Sequence, residues 1–303
     1  MPHEGKVIND YMDSCDRREL EEAVHLLTSP SLTAKLNSVV GKPVEYLIEK
    51  LPQGTNKKIE DTISSVLRTI VDVSTQTMDK ELQEASTKLH KLAVATTGAI
   101  GGFFGVWALL AELPVSTTIM MRSILDVARS EGFDITDPRT KMECILVFGF
   151  TVNEDKNDDS ADSGYYASRI ALSKTMDAAT KELVKQVAKE GSKQVVKEGS
   201  KQMVESTAPK VLAEFINAIA KRLGITLTEK SAAQVMPVIG AASGAALNMM
   251  FIDYYQDMAR GHFIIKRLEY KYSADFIKKE FDKIRLARLG ESKSTLIINT
   301  QPK

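Results

Sequence analysis

A few charged and amide side chains lie within otherwise apolar sequence, and their types could form an ion-pair network or a polar binding site. Arg122 and Asp126 lie one helical turn apart in the stretch VSTTIMMRSILDVA. Because an unpaired buried charge costs several kcal/mol, we expect these side chains to pair, with one another as the nearest candidates. We call the whole set the polar cluster: Glu112, Arg122, Asp126, Asn248 and Asp253.

Two interpretations of the polar cluster remain open. It can be a structural network of ion pairs that ties helices together, or it can line a site for a ligand or lipid headgroup. The second interpretation places Glu112, Arg122 and Asp126 around the site. Perturbed charges occur at functional sites and in structural networks alike. If Glu112 and Asp126 faced one open pocket, they could also be the two carboxylates of a hydrolase acting on a lipid or peptide.

Known catalytic and metal-binding motifs are missing from the sequence. It contains no G-x-S-x-G, no HExxH, no C-x-x-C and no Walker A lysine. The four histidines are scattered, and none has a His or Cys at metal-ligand spacing. Cys144 lies in the apolar stretch ECILVFGF, where a thiol is expected to be inert. We therefore predict no metal and no cofactor, and we favour a non-enzymatic protein.

Two uncharged runs adjoin the polar cluster and must help to position it. Residues 92–111 and 231–252 contain no Asp, Glu, Lys, Arg or His. Each run is about 20 residues long, enough to span a bilayer as a helix. However, lysines precede both runs, so the positive-inside rule would give two successive spans the same orientation. Glycines four residues apart in each run would let a neighbouring helix approach closely.

The two runs therefore have three interpretations. We favour two Gly/Ala-rich apolar helical hairpins in the core of a soluble domain. The alternatives are a hairpin partly inserted at a bilayer surface, and helices that span the membrane. If the first run contacts a membrane or a partner, we expect the contact through its bulky side chains, Phe103, Phe104 and Trp107.

Helix signals recur along the chain and predict an all-α fold. Asp137–Pro138 and Ser29–Pro30 each place a capping residue before a proline at the first helical position. Thr228 is also expected to cap a helix. Pro114 should end the first apolar run, and Gly132 should end the helix that follows it.

The domain organisation predicted from these signals is one large multi-helix domain at 28–290. An N-terminal tail or helix would occupy 1–27, and a flexible tail 291–303. Within the domain, segment 174–206 is predicted to be a Lys-rich amphipathic helix. Such a helix can lie on an anionic membrane or a partner, or it can be a solvated face with Glu neighbours. The lysines of the proposed surface are Lys185, Lys189, Lys193, Lys197 and Lys201.

Composition excludes several classes of protein. The chain has 40 Lys and Arg against 40 Asp and Glu, whereas a dedicated nucleic-acid binder carries a basic excess. Two cysteines cannot build a disulfide framework, and they fit a reducing cytoplasm. The first residues have no apolar stretch typical of a signal peptide. We predict a cytoplasmic protein, peripheral at the inner face of the cell membrane, and the oligomeric state stays open.

Two separated blocks of sequence resemble the EcsC protein family. The first block, 98–138, carries Glu112-Leu113-Pro114, Thr117-Thr118, Arg122, Val127-Ala128 and Gly132-Phe133-Asp134. The second block, 235–270, carries Pro237, Gly240, Ala241, Asn248 and Ala259. Together they frame a resemblance over about residues 28–275.

The resemblance implies a bacterial protein with a modest set of further expectations. The family's namesake is encoded beside the subunits of an ABC transport system. An accessory role in membrane transport or envelope processes is therefore expected, with an anionic membrane surface or lipid and membrane transport proteins as partners. The family supplies no catalytic residues. The hydrolase and a soluble lipid-binding carrier stay as alternatives.

Overall fold

A computed structural model describes residues 12–41, 45–49, 51–76, 106–150, 164–193, 210–234 and 241–299. Within these ranges the chain forms helices joined by turns, and no strand occurs. The helices are α1 (Ser14–Leu27), α2 (Leu32–Val40), α3 (Glu45–Ile48), α4 (Thr55–Gln76), α5 (Val106–Ser130), α6 (Pro138–Val147), α7 (Gly164–Lys193), α8 (Lys210–Gln234), α9 (Ala241–Lys271) and α10 (Ala274–Asn299). The prediction of an all-α fold is confirmed.

Two of the predicted helix boundaries are confirmed in detail. The side chain of Asp137 accepts the backbone N–H of Arg139, and Pro138 is the first residue of α6. After α5, Gly132 adopts a φ of +91°, a left-handed conformation that favours glycine. The N–H of Phe133 then bonds back to the carbonyl of Ala128 at 3.0 Å, which closes the helix.

Three other boundary predictions are wrong. Pro114 lies inside α5, which continues through it although a proline removes one backbone hydrogen bond. The buried side chains on both sides of the proline, Leu113 and Ser116 among them, hold the helix in the core. The cap of α2 is Ser31, whose hydroxyl accepts the N–H of Ala34 at 3.1 Å, and not Ser29. Thr228 is buried within α8 instead of capping it.

Helices α5 and α9 run in the same direction. The amide of Gln256 on α9 donates to the hydroxyl of Ser123 on α5. Further along both helices, Arg267 pairs with Glu131, just after the end of α5, at 3.1 Å. From the first contact to the second, residue numbers increase along both helices, so the helices are parallel. We call the end of the fold at which both begin the proximal end, and the opposite end the distal end.

Helices α1 and α10 fix a second set of directions. Three ion pairs align α1 antiparallel to α9: Glu22 with Arg260, Glu19 with Arg267, and Asp16 with Lys271. On the other side, Arg17 lies 3.5 Å from Glu280, and Arg288 lies 2.8 Å from His25. Helix α10 is therefore parallel to α1 and antiparallel to α9. It runs from the distal towards the proximal end.

The described helices share a buried apolar core to which α1 and α10 both contribute. Leu20 of α1 and Phe281 of α10 are fully buried in it. Helix α1 can approach α9 closely because position 261 is a glycine, where a Cβ would lie 2.7 Å from Leu27 Cγ. The domain boundaries themselves stay a prediction. Within them, α1 occupies part of 1–27 and α10 continues to Asn299, into the range predicted as a tail.

Candidate functional site

The structure gives two residues of the polar cluster, Asp126 and Asn248, separate partners outside the cluster. Asp126 is buried and pairs with Arg129, one turn further along α5, so Arg129 takes the place expected for Arg122. Arg122 is half-buried, and its Nε lies buried without a hydrogen-bond partner. On α9, the buried Asn248 accepts a hydrogen bond from Lys230 of α8.

The two remaining members of the cluster, Asp253 and Glu112, do not decide between the two interpretations. Asp253 is half-buried on α9, and for Glu112 the structure describes the backbone of α5 alone. A hydrolase would need the Asp126 carboxylate to face an open pocket. Asp126 instead lies in the core against a guanidinium, which gives the hydrolase alternative no support from its geometry.

A second group of buried polar side chains joins α6, α7 and α9, and sequence reasoning missed it. His262 is fully buried, with Nε2 3.0 Å from Glu143 Oε2 and Nδ1 2.9 Å from the hydroxyl of Tyr165. An ionised carboxylate can only accept, so the neutral imidazole donates from Nε2 to Glu143. Its Nδ1 then accepts from Tyr165, and Tyr165 accepts from Arg169 at 3.2 Å. The hydrogen bonds thus run in one direction, from Arg169 to Glu143.

The residues at the two ends of this series of hydrogen bonds, Arg169 and Glu143, each form an ion pair. Arg169 makes two hydrogen bonds to the carboxylate of Glu269, at 2.7 and 3.0 Å. Lys266 lies 2.8 Å from the second carboxylate oxygen of Glu143. Two cations balance two anions, so the group is neutral when His262 is uncharged. We call it the histidine network: Glu143, Tyr165, Arg169, His262, Lys266 and Glu269.

Burial and these contacts set the ionisation of the network. Burial lowers the pKa of His262, against the hydrogen bond with Glu143 that raises it. Burial would raise the pKa of Glu143, but the contacts with His262 and Lys266 lower it to about 2. Burial raises the pKa of the Tyr165 hydroxyl. At neutral pH, Glu143 is therefore ionised, His262 is neutral and Tyr165 keeps its proton, as the direction of the hydrogen bonds requires.

Two clefts open beside the histidine network, and both are bordered by Glu143 and Lys266. The larger, of about 710 Å³, lies among the turn after α5 and helices α6, α7 and α9. The smaller, of about 310 Å³, lies among α6, α7, α9 and the start of α10. His262 has no exposed surface and cannot touch a molecule in either cleft. The network can hold three helices together and respond to protonation. In the described part of the chain, no three His, Cys, Asp or Glu side chains are grouped to hold a metal ion.

Comparison with protein families decides what kind of chain this is. The model of the EcsC protein family matches residues 15–268, most of the sequence. The chain belongs to the EcsC protein family. The match begins in α1, upstream of the resemblance seen in the sequence, and it ends before α10. No curated protein and no solved structure matches the chain.

The surface residues predicted for this EcsC protein are described only in part. Lys185 is exposed on α7 and lies 3.9 Å from Glu182, an arrangement typical of a solvated helix face. For Lys189, Lys193 and Trp107 the structure describes the helix backbone alone. The other predicted surface residues lie outside the described ranges: Phe103, Phe104, Lys197 and Lys201.

The two uncharged runs are likewise described in part. The run 92–111 is described only from Val106, where α5 begins. The run 231–252 is divided between the end of α8 and the start of α9, so the described helices do not contain it as one continuous segment. Across the described ranges, no helix combines the length and apolar character needed to cross a bilayer.

The histidine network had a signal in the sequence that could have revealed it. His262, Lys266 and Glu269 recur at spacings of four and three, which places them on one face of a helix. Tyr165 and Arg169 show the same spacing of four. What the spacing could not show is the pairing, because the bonded residues are 97 to 119 positions apart in the chain.

Proposed function

We propose that this EcsC protein is a non-enzymatic accessory of membrane transport or envelope processes. It would associate peripherally with the anionic inner face of the cell membrane and contact membrane transport proteins there. The observation that carries the proposal is the parallel alignment of α5 and α9, which makes both helices begin at the proximal end. The uncharged runs 92–111 and 231–252 include the first residues of these two helices. The proximal end is therefore the part of the fold to which the most apolar sequence is attached.

Two exposed apolar side chains lie on α5 and α9 towards the proximal end, as Ile170 and Tyr270 do at the distal end. Val115 on α5 is 48% exposed and Met249 on α9 is 42% exposed. They precede the Ser123–Gln256 contact by about 12 and about 10 Å along their helices, so they lie at nearly the same level. What distinguishes the proximal end is that these side chains add to the apolar surface of the two uncharged runs, which a partner or a bilayer surface can cover.

The geometry of the polar groups supports a role without catalysis. The fully buried His262 cannot reach a substrate, and Asp126 is held by Arg129 in the core. The low pKa of Glu143, about 2, makes this carboxylate a weak base at neutral pH. These groups are placed to stabilise the helix packing that presents the proximal end.

Carbonate extraction of native membranes tests the proposal. We expect the protein in the membrane fraction and its release by alkaline carbonate, as for a protein held at the surface. Protein that resists extraction would be integral, and protein confined to the cytosolic fraction would have no membrane association. Either of these results would contradict the proposal.

A further inference from the structure

The histidine network holds the first half of α7, residues 164–178, against the neighbouring helices. The hydroxyl of Tyr165 donates to Nδ1 of His262 on α9 at 2.9 Å, and Nε2 of the same imidazole donates to α6. One turn later on α7, Arg169 binds the carboxylate of Glu269 on α9 through two hydrogen bonds. The position of this part of α7 therefore depends on the direction in which each hydrogen bond runs.

These hydrogen bonds are compatible only with a neutral His262. A protonated imidazole donates from both nitrogens, so its Nδ1 can no longer accept from Tyr165. The oxygen of Tyr165 would then accept from His262 and from Arg169, and its own hydrogen would lose its acceptor. Because Tyr165 is only 1% exposed, this hydrogen would stay buried without a partner, which is unfavourable.

The charges around His262 oppose its protonation as well. The titratable and charged groups that face it are Glu143 of α6, Tyr165 and Arg169 of α7, and Lys266 of α9. Helix α10 contributes the apolar ring of Phe281, which packs on Tyr165, and the acids of α1 that face α9 are paired with basic residues. Burial lowers the pKa of His262, and the charges of Arg169 and Lys266 lower it further, against the contact with Glu143.

Helix α7 also forms one wall of both clefts beside the network. The two clefts share four lining residues, Glu143, Met176, Asp177 and Lys266. Two of these residues belong to α7, and the other two form the ion pair at the edge of the network. A movement of α7 away from α9 would therefore widen both clefts at their common border.

We propose that the histidine network is a pH-sensitive switch, in which uptake of a proton by His262 releases the first half of α7 from α9 and joins the two clefts. In the closed form, the hydrogen bonds from Arg169 to Glu143 require a neutral imidazole. In the open form, water reaches His262 and the proton binds more readily. A fall in pH therefore shifts the population towards the open form. The switch acts at the distal part of the fold and does not depend on membrane association.

Amide hydrogen exchange of the full chain at pH 7.5 and 5.5 tests the switch helix by helix, after correction for the intrinsic effect of pH on exchange. The variant His262→Gln keeps a donor and an acceptor at this position but does not titrate. His25→Gln is the matched control, because His25 is exposed on α1. Circular dichroism checks that each variant remains helical.

If the open form titrates with the ordinary histidine pKa of about 6.5, its population should rise by up to about tenfold between pH 7.5 and 5.5. We expect the protection of residues 164–178 to fall accordingly in the wild type and in His25→Gln, with less change in α4 and no such fall in His262→Gln. An equal loss of protection in all described helices would mean that the proton only destabilises the whole fold, and the proposal would be wrong. A loss in α7 that persists in His262→Gln would also overturn it.

Thiol labelling gives a second measurement that does not depend on a substitution at His262. Ser168 on α7 is 6% exposed, so Ser168→Cys reacts with a disulfide reagent only when this part of α7 opens. Ala23→Cys, fully buried on α1, is the control, and both carry Cys15→Ser. Relative to a free thiol, labelling at 168 should accelerate by up to about tenfold from pH 7.5 to 5.5, and labelling at 23 should change less. Equal acceleration at both positions, or none at 168, would contradict the switch.

Discussion

The side-chain amide of Gln256 on α9 donates to the hydroxyl of Ser123 on α5 at 2.5 Å, and both side chains are buried. This contact aligns the two helices whose first residues belong to the uncharged runs. Because they are parallel, their starts lie at one end of the fold, although about 130 residues separate them in the sequence. The proposed membrane-facing surface depends on this alignment.

The Ser123–Gln256 contact should contribute measurably to stability. We expect Gln256→Leu to lower the free energy of unfolding by about 1–3 kcal/mol, because it leaves the buried Ser123 hydroxyl without its donor. Ser123→Ala should do the same to the amide. In a double-mutant cycle measured by urea unfolding, the double variant should cost less than the two single changes together. Strict additivity would show that the contact contributes nothing.

Stability should decline as the pH falls below about 6.5 because of His262. Burial lowers the pKa of His262 in the folded chain, so the unfolded chain binds this proton more readily. The stabilisation is therefore complete above the unfolded pKa and is lost as the pH falls from there towards the folded pKa. Glu143, with a pKa of about 2, stays ionised between pH 7.5 and 5.5. Urea unfolding across this range should show a smaller pH dependence for His262→Gln, and an unchanged slope would contradict the assignment.

The pair of Lys266 with Glu143 should matter far more than a surface pair. Replacing Lys266 by Met leaves the mostly buried Glu143 carboxylate without its counter-ion, which should cost about 1–3 kcal/mol of unfolding free energy. Lys185→Met is the matched control, since Lys185 is exposed and lies 3.9 Å from Glu182. It should change stability by less than about 1 kcal/mol. Equal effects of the two substitutions would place Lys266 outside any stabilising network.

Two glycines in helices should respond in opposite directions to the same substitution. At Gly261 a Cβ would lie 2.7 Å from Leu27 Cγ, so Gly261→Ala should push α1 away from α9 and cost about 1–3 kcal/mol. At Gly290 a Cβ meets no atom within 4 Å, so Gly290→Ala should stabilise α10 by up to about 1 kcal/mol. Thermal unfolding of both variants checks this. A neutral Gly261→Ala would mean that α1 is not held closely against α9.

The sequence revealed those features that depend on neighbouring residues. Asp137–Pro138 and Gly132 mark helix ends through local hydrogen bonds and backbone conformation, and both were predictable. The predictions of a helix end at Pro114 and of a cap at Thr228 were wrong because packing in the core outweighs local propensity. The pairing of Asp126 with Arg129 instead of Arg122 depends on which face of α5 is buried, and a spacing of four alone could not decide it.

The histidine network and the helix directions could not be predicted from the sequence, because both depend on contacts between distant parts of the chain. His262 contacts Glu143 and Tyr165 only because α6, α7 and α9 converge, and one sequence contains no record of that convergence. The same holds for the alignment of α10 with α1, which rests on contacts 263 residues apart. Family membership, in contrast, was visible in two blocks of sequence and is confirmed by the match over residues 15–268.

A fluorescent probe at either end of α9 tests most directly which end of this EcsC protein faces a membrane. Met249 and Tyr270 are both exposed on this helix and lie about 31 Å apart along it. Met249→Cys and Tyr270→Cys can each be labelled after the exposed Cys15 is replaced by Ser, since Cys144 is buried. With anionic vesicles, the probe at 249 should shift its emission to the blue and be quenched by brominated lipid, while the probe at 270 should not respond. A response at 270 alone, or at neither position, would contradict the central claim that the proximal end meets the bilayer.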